Sequence, residues 1–585
     1  MSSGKESLSR LRRLPGAALV VGVLVLLLLW SYGGTGEVPL LLDDEFTLVR
    51  NRSVHRIGDM AAVLRPPVDA PTGGRPLANL TFALTYALGG PEPWAHRLFN
   101  VVLHGATALL VFGVVRRTVA LPGIPARLQA QAFEIGAATA LIWAVHPLLT
   151  QCVTYISQRT EIQMAACYLL TLYGFIRAET EPVHSKLWRI LSIVACWLGG
   201  LSKEPIATAP LVVLLFHRVF LRVGFRELLR AYWGYYAALA VVWLFLVDGL
   251  RGLGQRGVSY AAGVTAWDYA VVQVQAVLEY LRLSVWPHPL VFDRSPLVVL
   301  APQLSLSHAV ALVALLSLTL WGLWRRSCWA FLGSWFFLVL APTSSVIPIV
   351  NAAVAENRAY LPSVAVVSGV VIALALILPR KAARLVYVAL GTTAAWATHE
   401  RNLDYADAIT LWTDTVEKAP DNPRAHGQLG LALYAQGHAE AALRHYREAL
   451  RMNPEGAPHH TGIGVILAQM PGGLEAAQRH LSEALRLRPN EAEAHANLGA
   501  VLGMIGRDLT KAEWHLREAL RLSPDDPGTW FLWGEFAERR RFNLPEARRA
   551  YQESLRRRSG FSPALQALQR VEALVAPPAP SLKIP

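Results

Sequence analysis

Three consecutive carboxylates, Asp43, Asp44 and Glu45, stand in the stretch "VPLLLDDEFTLVRN", a few residues after a strongly apolar segment. A carboxylate can take a proton from an acceptor hydroxyl as a general base. Paired carboxylates can also hold a divalent metal ion. Solvation at the end of a helix is the plain alternative, so the meaning of the cluster depends on what else shares its side of the chain.

Further polar groups interrupt the apolar segments that follow. Burial of such groups in a membrane without partners costs several kcal/mol, so they indicate helix-to-helix hydrogen bonds or a shared cavity. The groups are Arg75, His96 and His104, then Arg159 and Glu161 in "HPLLTQCVTYISQRTE", Lys203 and Glu204 in "LSKEPIA", and Glu356, Arg358 and Tyr360 in "NAAVAENRAYLPS". Several such turns on one membrane face favour a shared cavity.

The residue types of these turns indicate a particular chemistry. Arginine and lysine at a membrane interface suit a phosphate whose tail lies in lipid, because the guanidinium group matches phosphate oxygens. A carboxylate near that phosphate can activate a hydroxyl. Together these parts describe transfer of a group from a lipid-phosphate carrier to an acceptor.

The composition is that of an integral membrane protein of more than one domain. The 585 residues are 53% apolar and only 17% charged. The net charge of +13 arises entirely in residues 1–399, because residues 400–585 carry 23 basic and 23 acidic side chains. This asymmetry favours basic membrane-flanking loops over a nucleic-acid partner. The four cysteines show no CxxC spacing, so neither a disulfide framework nor a zinc site is expected.

The apolar segments predict an all-α, polytopic bundle with about eleven membrane spans. The first, "AALVVGVLVLLLLW", is interpreted as an uncleaved helix. With eleven spans the basic loops all fall in the cytoplasm and the Asp43 loop falls outside. The stretch 268–286 contains three charges and is predicted as an interfacial or re-entrant outer helix. The other spans are predicted near 96–115, 133–150, 162–177, 187–202, 204–217, 231–248, 305–324, 329–345, 359–378 and 384–399.

After residue 400 the sequence becomes periodic. Three segments, each ending in a motif such as "SEALRLRP", align on Pro454, Pro489 and Pro524 at intervals of 35 residues. Their small and apolar positions fit the tetratricopeptide pattern. We therefore predict a membrane domain over 1–400, an extracytoplasmic repeat solenoid over 401–570 and a Pro-rich tail over 571–585. Such solenoids bind extended peptides on a concave face, although a purely structural scaffold is the commoner role.

Read in order, "DDEFTLVRN", "RPLANLTFALTYALGGPEPWAHRLFNVVLH", "HPLLTQCVTYISQRTE", "LSKEP" and "AENRAYLPS", followed by the repeats, resemble the transmembrane and tetratricopeptide-repeat O-mannosyltransferases and their bacterial relatives. The resemblance extends over nearly the whole chain. It implies a GT-C glycosyltransferase fold, a polyprenyl- or dolichyl-phosphate sugar as donor and an acidic catalytic residue in the first outer loop. No further cofactor is implied, although a divalent metal remains compatible with the paired carboxylates.

The resemblance also assigns roles by position. Either Asp43 or Asp44 corresponds to the catalytic base, with Asp43 favoured. The donor phosphate is assigned to Arg159, Lys203 and Arg358. The residues that shape the site are Glu45, Asn51, Arg75, His96, His104, Glu161, Glu204, Glu356 and Tyr360.

The expected function is transfer of mannose or another hexose, with inversion, to Ser or Thr hydroxyls of a protein held by the repeats. Two alternatives stay open: a GT-C enzyme that modifies a glycan or lipid, and a non-catalytic membrane scaffold that assembles envelope proteins. The Ala, Leu and Arg content indicates a bacterial inner membrane with periplasmic repeats. An endoplasmic reticulum protein with lumenal repeats is the alternative.

Overall fold

The computed structural model describes residues 14–68, 70–250, 265–294, 305–344, 349, 353–540 and 542–575. Within these residues the chain forms helices and connecting turns without a strand, which confirms the predicted all-α class. The basic N-terminal segment and residues 576–585 of the predicted tail lie outside the described residues. The chain divides into two compact units, residues 1–419 and residues 420–585.

The first unit contains nineteen of the described α-helices, which we number in chain order. They are α1 (Leu14–Tyr32), α2 (Met60–Leu64), α3 (Pro76–Gly89), α4 (Pro93–Val119), α5 (Ala126–Gln129), α6 (Ala132–Ala144), α7 (Thr150–Thr154), α8 (Arg159–Thr180), α9 (Ser185–Gly200), α10 (Ala209–Phe220), α11 (Phe225–Ala231), α12 (Trp233–Ala240), α13 (Val242–Leu250), α14 (Ala266–Val285), α15 (Leu306–Trp324), α16 (Cys328–Leu340), α17 (Ser363–Ile377), α18 (Arg380–Leu403) and α19 (Ala408–Lys418).

The predicted count of eleven spans is not confirmed. Three stretches of the described chain are long and apolar enough to cross a membrane, namely the α1 region, α4 and α15, and the bent pair formed by α6 and residues 147–154 would make a fourth. The other predicted spans are helical, but their helices are shorter or more polar. Only 6% of the apolar stretch in α15 is buried, so this helix presents an apolar surface suited to lipid.

Small residues let the central helices of the first unit approach closely. Helix α4 packs on α6 and α8, and α8 packs on α9. A side chain at Gly174 of α8 would meet the carbonyl of Trp188 in α9 at 3.0 Å. Trp143, Tyr168 and Phe175 fill the resulting core and are fully buried. Helices this close exclude water from the polar groups that lie between them.

The second unit is an array of antiparallel helix pairs. Its helices are α20 (Pro423–Ala435), α21 (Ala439–Met452), α22 (Ala457–Gln469), α23 (Leu474–Leu487), α24 (Ala492–Ile505), α25 (Leu509–Leu522), α26 (Pro527–Arg539), α27 (Leu544–Arg557) and α28 (Ser562–Val575). Each repeat places a glycine of its first helix against its second helix. The alanines Ala442, Ala477, Ala512 and Ala547 recur at one buried position of the second helices. The periodic small residues of the sequence are therefore the contacts that pair the helices.

We predict that Gly499→Ala destabilises the repeat array. An added methyl group at Gly499 would lie 2.7 Å from Cγ of Leu516 and 3.0 Å from the carbonyl oxygen of Ala512. Overpacking of this kind costs about 1–3 kcal/mol in the free energy of unfolding. Urea unfolding of the full chain in detergent, followed by circular dichroism, measures the effect. Gly560→Ala is the control, because no atom lies within 4 Å of its added methyl group; equal stability of the two variants would contradict the packing argument.

Candidate functional site

The polar segment 150–161 lies at the centre of the candidate site. Helix α6 ends before Pro147, which has no amide proton to continue a helix, and the chain then passes through α7 and a 3-10 turn (Ile156–Gln158) before α8 begins. All twelve residues are buried except Gln158, which is partly exposed. The broken helix leaves backbone and side-chain donors that have to find partners. Residues 38–51, the turn at 203 and the turn at 356–360 supply partners for this segment.

Asp44 is one of these partners and is fully buried. Its Oδ1 accepts hydrogen bonds from the Ser157 amide at 2.7 Å and from the Ser157 hydroxyl at 2.6 Å, and its Oδ2 accepts from the Leu41 amide at 3.1 Å. Burial raises the pKa of Asp44 to about 6, against the opposing effect of these donors and of the charge of Arg97. The Asp44 carboxylate therefore bonds residues 38–51, which we call the acidic loop, to segment 150–161.

Asp43 is exposed, in contrast to its neighbour. Its amide donates to the Tyr155 hydroxyl at 2.9 Å, and that hydroxyl also bonds the Asp43 carboxylate. Burial, and then the charges of Asp43 and Asp44, raise the pKa of Tyr155, so the phenol keeps its proton and can donate it. Leu42, directly before Asp43, has a φ of 36°, a strained conformation for a branched residue. Such strain is typical of functional sites.

Glu45 and Asn51 lie at the edges of this arrangement. Glu45 is exposed and pairs with Arg50 at 3.0 Å. Asn51 is buried in an amide and hydroxyl network, where it donates to Asn79 at 2.9 Å and accepts from the Ser53 hydroxyl at 2.6 Å. The network holds the chain that follows the acidic loop against α3, so Asn51 shapes the loop from beneath.

Arg159 is fully buried, with each terminal nitrogen bonded. It donates to Asn100 at 2.8 Å, to Thr81 and Thr85 at 2.9 and 3.0 Å, and to the carbonyl of His96 at 2.9 Å. His96 itself bonds the Thr85 hydroxyl at 2.7 Å. These contacts give Arg159 a positioning role between α3, α4 and α8. Its predicted contact with the donor phosphate stays a prediction.

Sequence reasoning did not single out Arg97, which has a comparable role. Its guanidinium is buried and donates to the carbonyls of Val38, of Pro39 at 2.7 Å and of Thr154 at 3.0 Å. It therefore ties the start of the acidic loop to the end of α7. A charged residue within an apolar helix was the signal that could have identified it.

Lys203 and Glu204 each pair with another segment of the chain. The Lys203 ammonium lies 2.5 Å from the Glu161 carboxylate, and Glu204 lies 2.9 Å from Arg75. The Lys203 side chain is 13% exposed. Adjacent residues of opposite charge thus do not neutralise each other here. They connect the turn that they share to the central segment, through Glu161, and to the start of α3, through Arg75.

The turn of residues 356–360 contacts the same segment. Gln151 accepts from the Asn357 amide at 3.0 Å. Burial raises the pKa of Glu356, whose carboxylate accepts from the Val291 amide at 2.5 Å. Arg358 donates to the Tyr269 hydroxyl at 3.1 Å and to the Ala353 carbonyl at 2.9 Å. The turn therefore contacts the central segment through Asn357 and helix α14 through Arg358.

Tyr360 and His104 form a hydrogen bond at the base of the turn. The two side chains are 2.6 Å apart, and the other ring nitrogen of His104 lies 2.8 Å from the carbonyl of Ala144. Since a carbonyl only accepts, His104 donates to Ala144 and accepts from the Tyr360 hydroxyl. Both side chains are fully buried. They therefore hold α4, α6 and the 356–360 turn together beneath the site.

Comparisons with known proteins bear on both units. A tetratricopeptide repeat family model matches residues 398–457, 428–469 and 472–527. The protein O-mannosyl-transferase Tmtc1 of Drosophila melanogaster is 31% identical over 31% of this chain and 20% of its own length. A protein O-mannosyl-transferase of Caenorhabditis elegans is 23% identical over 65% of this chain and 54% of its own. A thermophilic TPR protein of Thermus thermophilus is 24% identical over 30% of this chain and 91% of its own, with a TM-score of 0.26.

Part of the chain is thus similar to protein O-mannosyl-transferases, and its C-terminal region matches the tetratricopeptide repeat. The matched part spans about half the length of the Caenorhabditis relative and a fifth of the Drosophila one. In this chain the turns that were predicted to converge do converge. Segment 150–161 bonds the acidic loop, the turn at 203 and the turn at 356–360. The predicted residues that meet directly are Glu161 with Lys203, Arg75 with Glu204, His104 with Tyr360, and Arg159 with the carbonyl of His96.

We predict that Ser157→Ala weakens the structure in a pH-dependent way. The lost hydroxyl stabilises the ionised form of Asp44, whose folded pKa is about 6 against an ordinary 3.8. Its removal raises that pKa further, so the stability lost relative to the wild type grows as the pH rises through 6. A loss of about 1.5–3 kcal/mol is expected above that pH, the usual worth of a hydrogen bond to a charged group.

Thermal unfolding of the wild-type chain and of the Ser157→Ala variant in detergent, at pH 5 and at pH 8, measures this difference. The control is Ser53→Ala, which removes a buried hydroxyl bonded to Asn51 at 2.6 Å, where no carboxylate is involved. Its loss of stability should be the same at both pH values. A pH-independent loss for Ser157→Ala would contradict the assigned role of Asp44.

Proposed function

We propose that the protein is a membrane glycosyltransferase of the GT-C type. It transfers a hexose from a polyprenyl- or dolichyl-phosphate carrier to Ser or Thr hydroxyls of a protein acceptor, and mannose is the first choice because its relatives are named protein O-mannosyl-transferases. The repeats hold the acceptor, since solenoids of this kind bind extended chains. The Ala, Leu and Arg content favours a bacterial inner membrane, and the basic loops favour repeats on its periplasmic side.

The observation that carries this proposal is the different setting of two adjacent aspartates. Asp44 is buried and its oxygens accept bonds from Leu41 and Ser157. Asp43 is exposed and is oriented by the Tyr155 hydroxyl. A general base must reach the hydroxyl of an incoming acceptor. We therefore assign proton abstraction to Asp43 and loop attachment to Asp44.

The transfer is a single displacement. The Asp43 carboxylate takes the proton of the acceptor hydroxyl as its oxygen forms a bond to the anomeric carbon. The bond from that carbon to the phosphate oxygen breaks, and the electron pair leaves with the lipid phosphate. Attack opposite the leaving group inverts the anomeric configuration. Because the leaving group is an anion that cations can bind, the step requires no metal ion.

Of the three proposed phosphate ligands, Lys203 is the one whose side chain is best placed to reach a phosphate. Its ammonium is part-exposed and is already held on the Glu161 carboxylate. Arg159 is fully buried, and the Arg358 guanidinium is engaged with Tyr269 and backbone carbonyls. A phosphate oxygen can join or replace Glu161 at Lys203 without unpacking a helix. Arg159 and Arg358 would then act mainly by holding the cavity wall and by their charge.

We predict that Asp43→Asn lowers transfer by about 10²–10⁴-fold, the usual contribution of a general base. Purified protein in liposomes is given a radiolabelled polyprenyl-phosphate mannose and a Ser/Thr-rich peptide, and label on the peptide is counted. Glu92→Gln is the control, because Glu92 is another exposed carboxylate of the first unit and its side chain caps no helix amide. Wild-type transfer by Asp43→Asn would rule out the assigned base.

The same assay separates the other two functions. Label on an added lipid or oligosaccharide instead of the peptide would support the glycan- or lipid-modifying alternative. Absence of transfer to any acceptor would support the non-catalytic scaffold. Transfer that persists in EDTA is expected from the proposed mechanism, whereas its loss, restored by Mg²⁺ or Mn²⁺, would assign a metal to the paired carboxylates.

A further inference from the structure

Three successive repeats each contain a pair of histidines in hydrogen-bond contact. The Nδ1 atoms of the two rings are 3.0, 3.0 and 2.9 Å apart. The first histidine of each pair stands on the first helix of a repeat and the second on the following helix. The pairs are His426 with His445, His460 with His480, and His495 with His515. One contact thus recurs in register along the array.

A backbone carbonyl sets the tautomer of the first histidine in each pair. The Nε2 atoms of His426, His460 and His495 lie 3.0, 3.3 and 2.9 Å from the carbonyls of Pro420, Pro454 and Pro489. A carbonyl only accepts, so each Nε2 carries the proton and each Nδ1 presents its lone pair to the partner ring. Metal-ligating histidines typically make this same bond from their outer nitrogen to a carbonyl.

The fourth repeat shows that the pair is not required for the helix pairing. Trp530 occupies the position of the first histidine and donates to the equivalent carbonyl of Pro524 at 2.8 Å. Ala550 occupies the position of the second, 35 residues after His515. The structural bond to the proline carbonyl is therefore made without a second imidazole. The second histidine of the first three repeats needs another explanation.

The distance between the nitrogens selects a class of ligand. Two nitrogens that are 3.0 Å apart, and that each lie about 2.1 Å from an ion, make an N–ion–N angle of about 90°. That angle suits square-planar or octahedral ions, whereas a tetrahedral ion at the same distance of about 2.1 Å requires nitrogens about 3.4 Å apart. Among divalent first-row ions Cu²⁺ binds nitrogen ligands most strongly.

We propose that each histidine pair chelates a Cu²⁺ ion through its two Nδ1 atoms. The second ring changes tautomer, with its proton moving from Nδ1 to Nε2, so no net proton is released. Within the described residues no three His, Cys, Asp or Glu side chains are already grouped around one ion position. Water therefore completes the coordination, together with a nearby carboxylate in the recurring sequence His-x-x-Glu.

That carboxylate is Glu448, Glu483 or Glu518, one helical turn after the second histidine. Each interacts electrostatically with a histidine of its repeat and now pairs with an arginine three residues further on, at 2.6–2.8 Å. Replacing the arginine by the ion as the partner of the glutamate costs little free energy, because such exposed ion pairs contribute little stability. The basic neighbours Arg444, Arg479 and Lys511 oppose the bound cation, and the glutamates offset them.

The test uses the untagged full chain in detergent, titrated with CuCl₂ in the absence of any sugar donor. Calorimetry gives the stoichiometry, and electron paramagnetic resonance gives the number of nitrogen ligands per ion. The variants are His445→Ala, His480→Ala and His515→Ala, singly and together, which install the residue that the fourth repeat carries as Ala550. His438→Ala is the control, because His438 is an exposed histidine of the same array outside the pairs.

We expect three equivalents of Cu²⁺ in the wild type and in the control, each with two imidazole nitrogens. One equivalent should disappear with each single variant and all three with the triple variant. Equal binding by the wild type and the triple variant would overturn the proposal, as would a wild-type spectrum without paired nitrogens. The wild-type spectrum decides the matter even where the triple variant fails to fold. Copper binding is independent of glycosyl transfer, so each proposal can fail without the other.

Discussion

A buried carboxylate organises the first unit of this protein. Asp44 lies among apolar helices, where an ionised group without partners is very costly, and its oxygens accept hydrogen bonds from Ser157 and Leu41. The Ser157 amide is available as a donor because the helix before α8 is broken at residues 147–158. The acidic loop therefore supplies the acceptor for Ser157 of the broken helix, and Ser157 supplies donors for the buried Asp44 carboxylate. Loss of either partner would leave buried polar groups without hydrogen bonds.

The remaining turns follow from the same broken segment. Its residues bond the turn at 356–358 and the lysine at 203, and Arg159 at its end spans α3 and α4. One buried segment of the chain therefore contacts each of these turns. Asp43 gains its exposed position from this arrangement, since Asp44 and Tyr155 hold the backbone on both sides of it. A fixed and accessible carboxylate is what a general base requires.

Several features could be predicted from the sequence and others could not. The helical class, the repeats and the grouping of polar turns were all predicted, because apolar runs and a period of 35 residues are written locally in the chain. The number of spans was not confirmed, since hydropathy does not reveal where a helix breaks or shortens against its neighbours. Arg97 and Tyr155 were missed as members of the site. Their contacts depend on residues more than 50 positions away.

The sequence by itself determined which residue types stand at each turn and how the repeats align. Only the tertiary structure decided which of two adjacent aspartates is buried, because neighbouring side chains on a bent backbone point in different directions and meet different partners. It likewise paired histidines that stand 19 or 20 residues apart, since the two antiparallel helices of a repeat bring those positions together. Local chemistry is encoded residue by residue, whereas burial and contact follow from the packing of the whole unit.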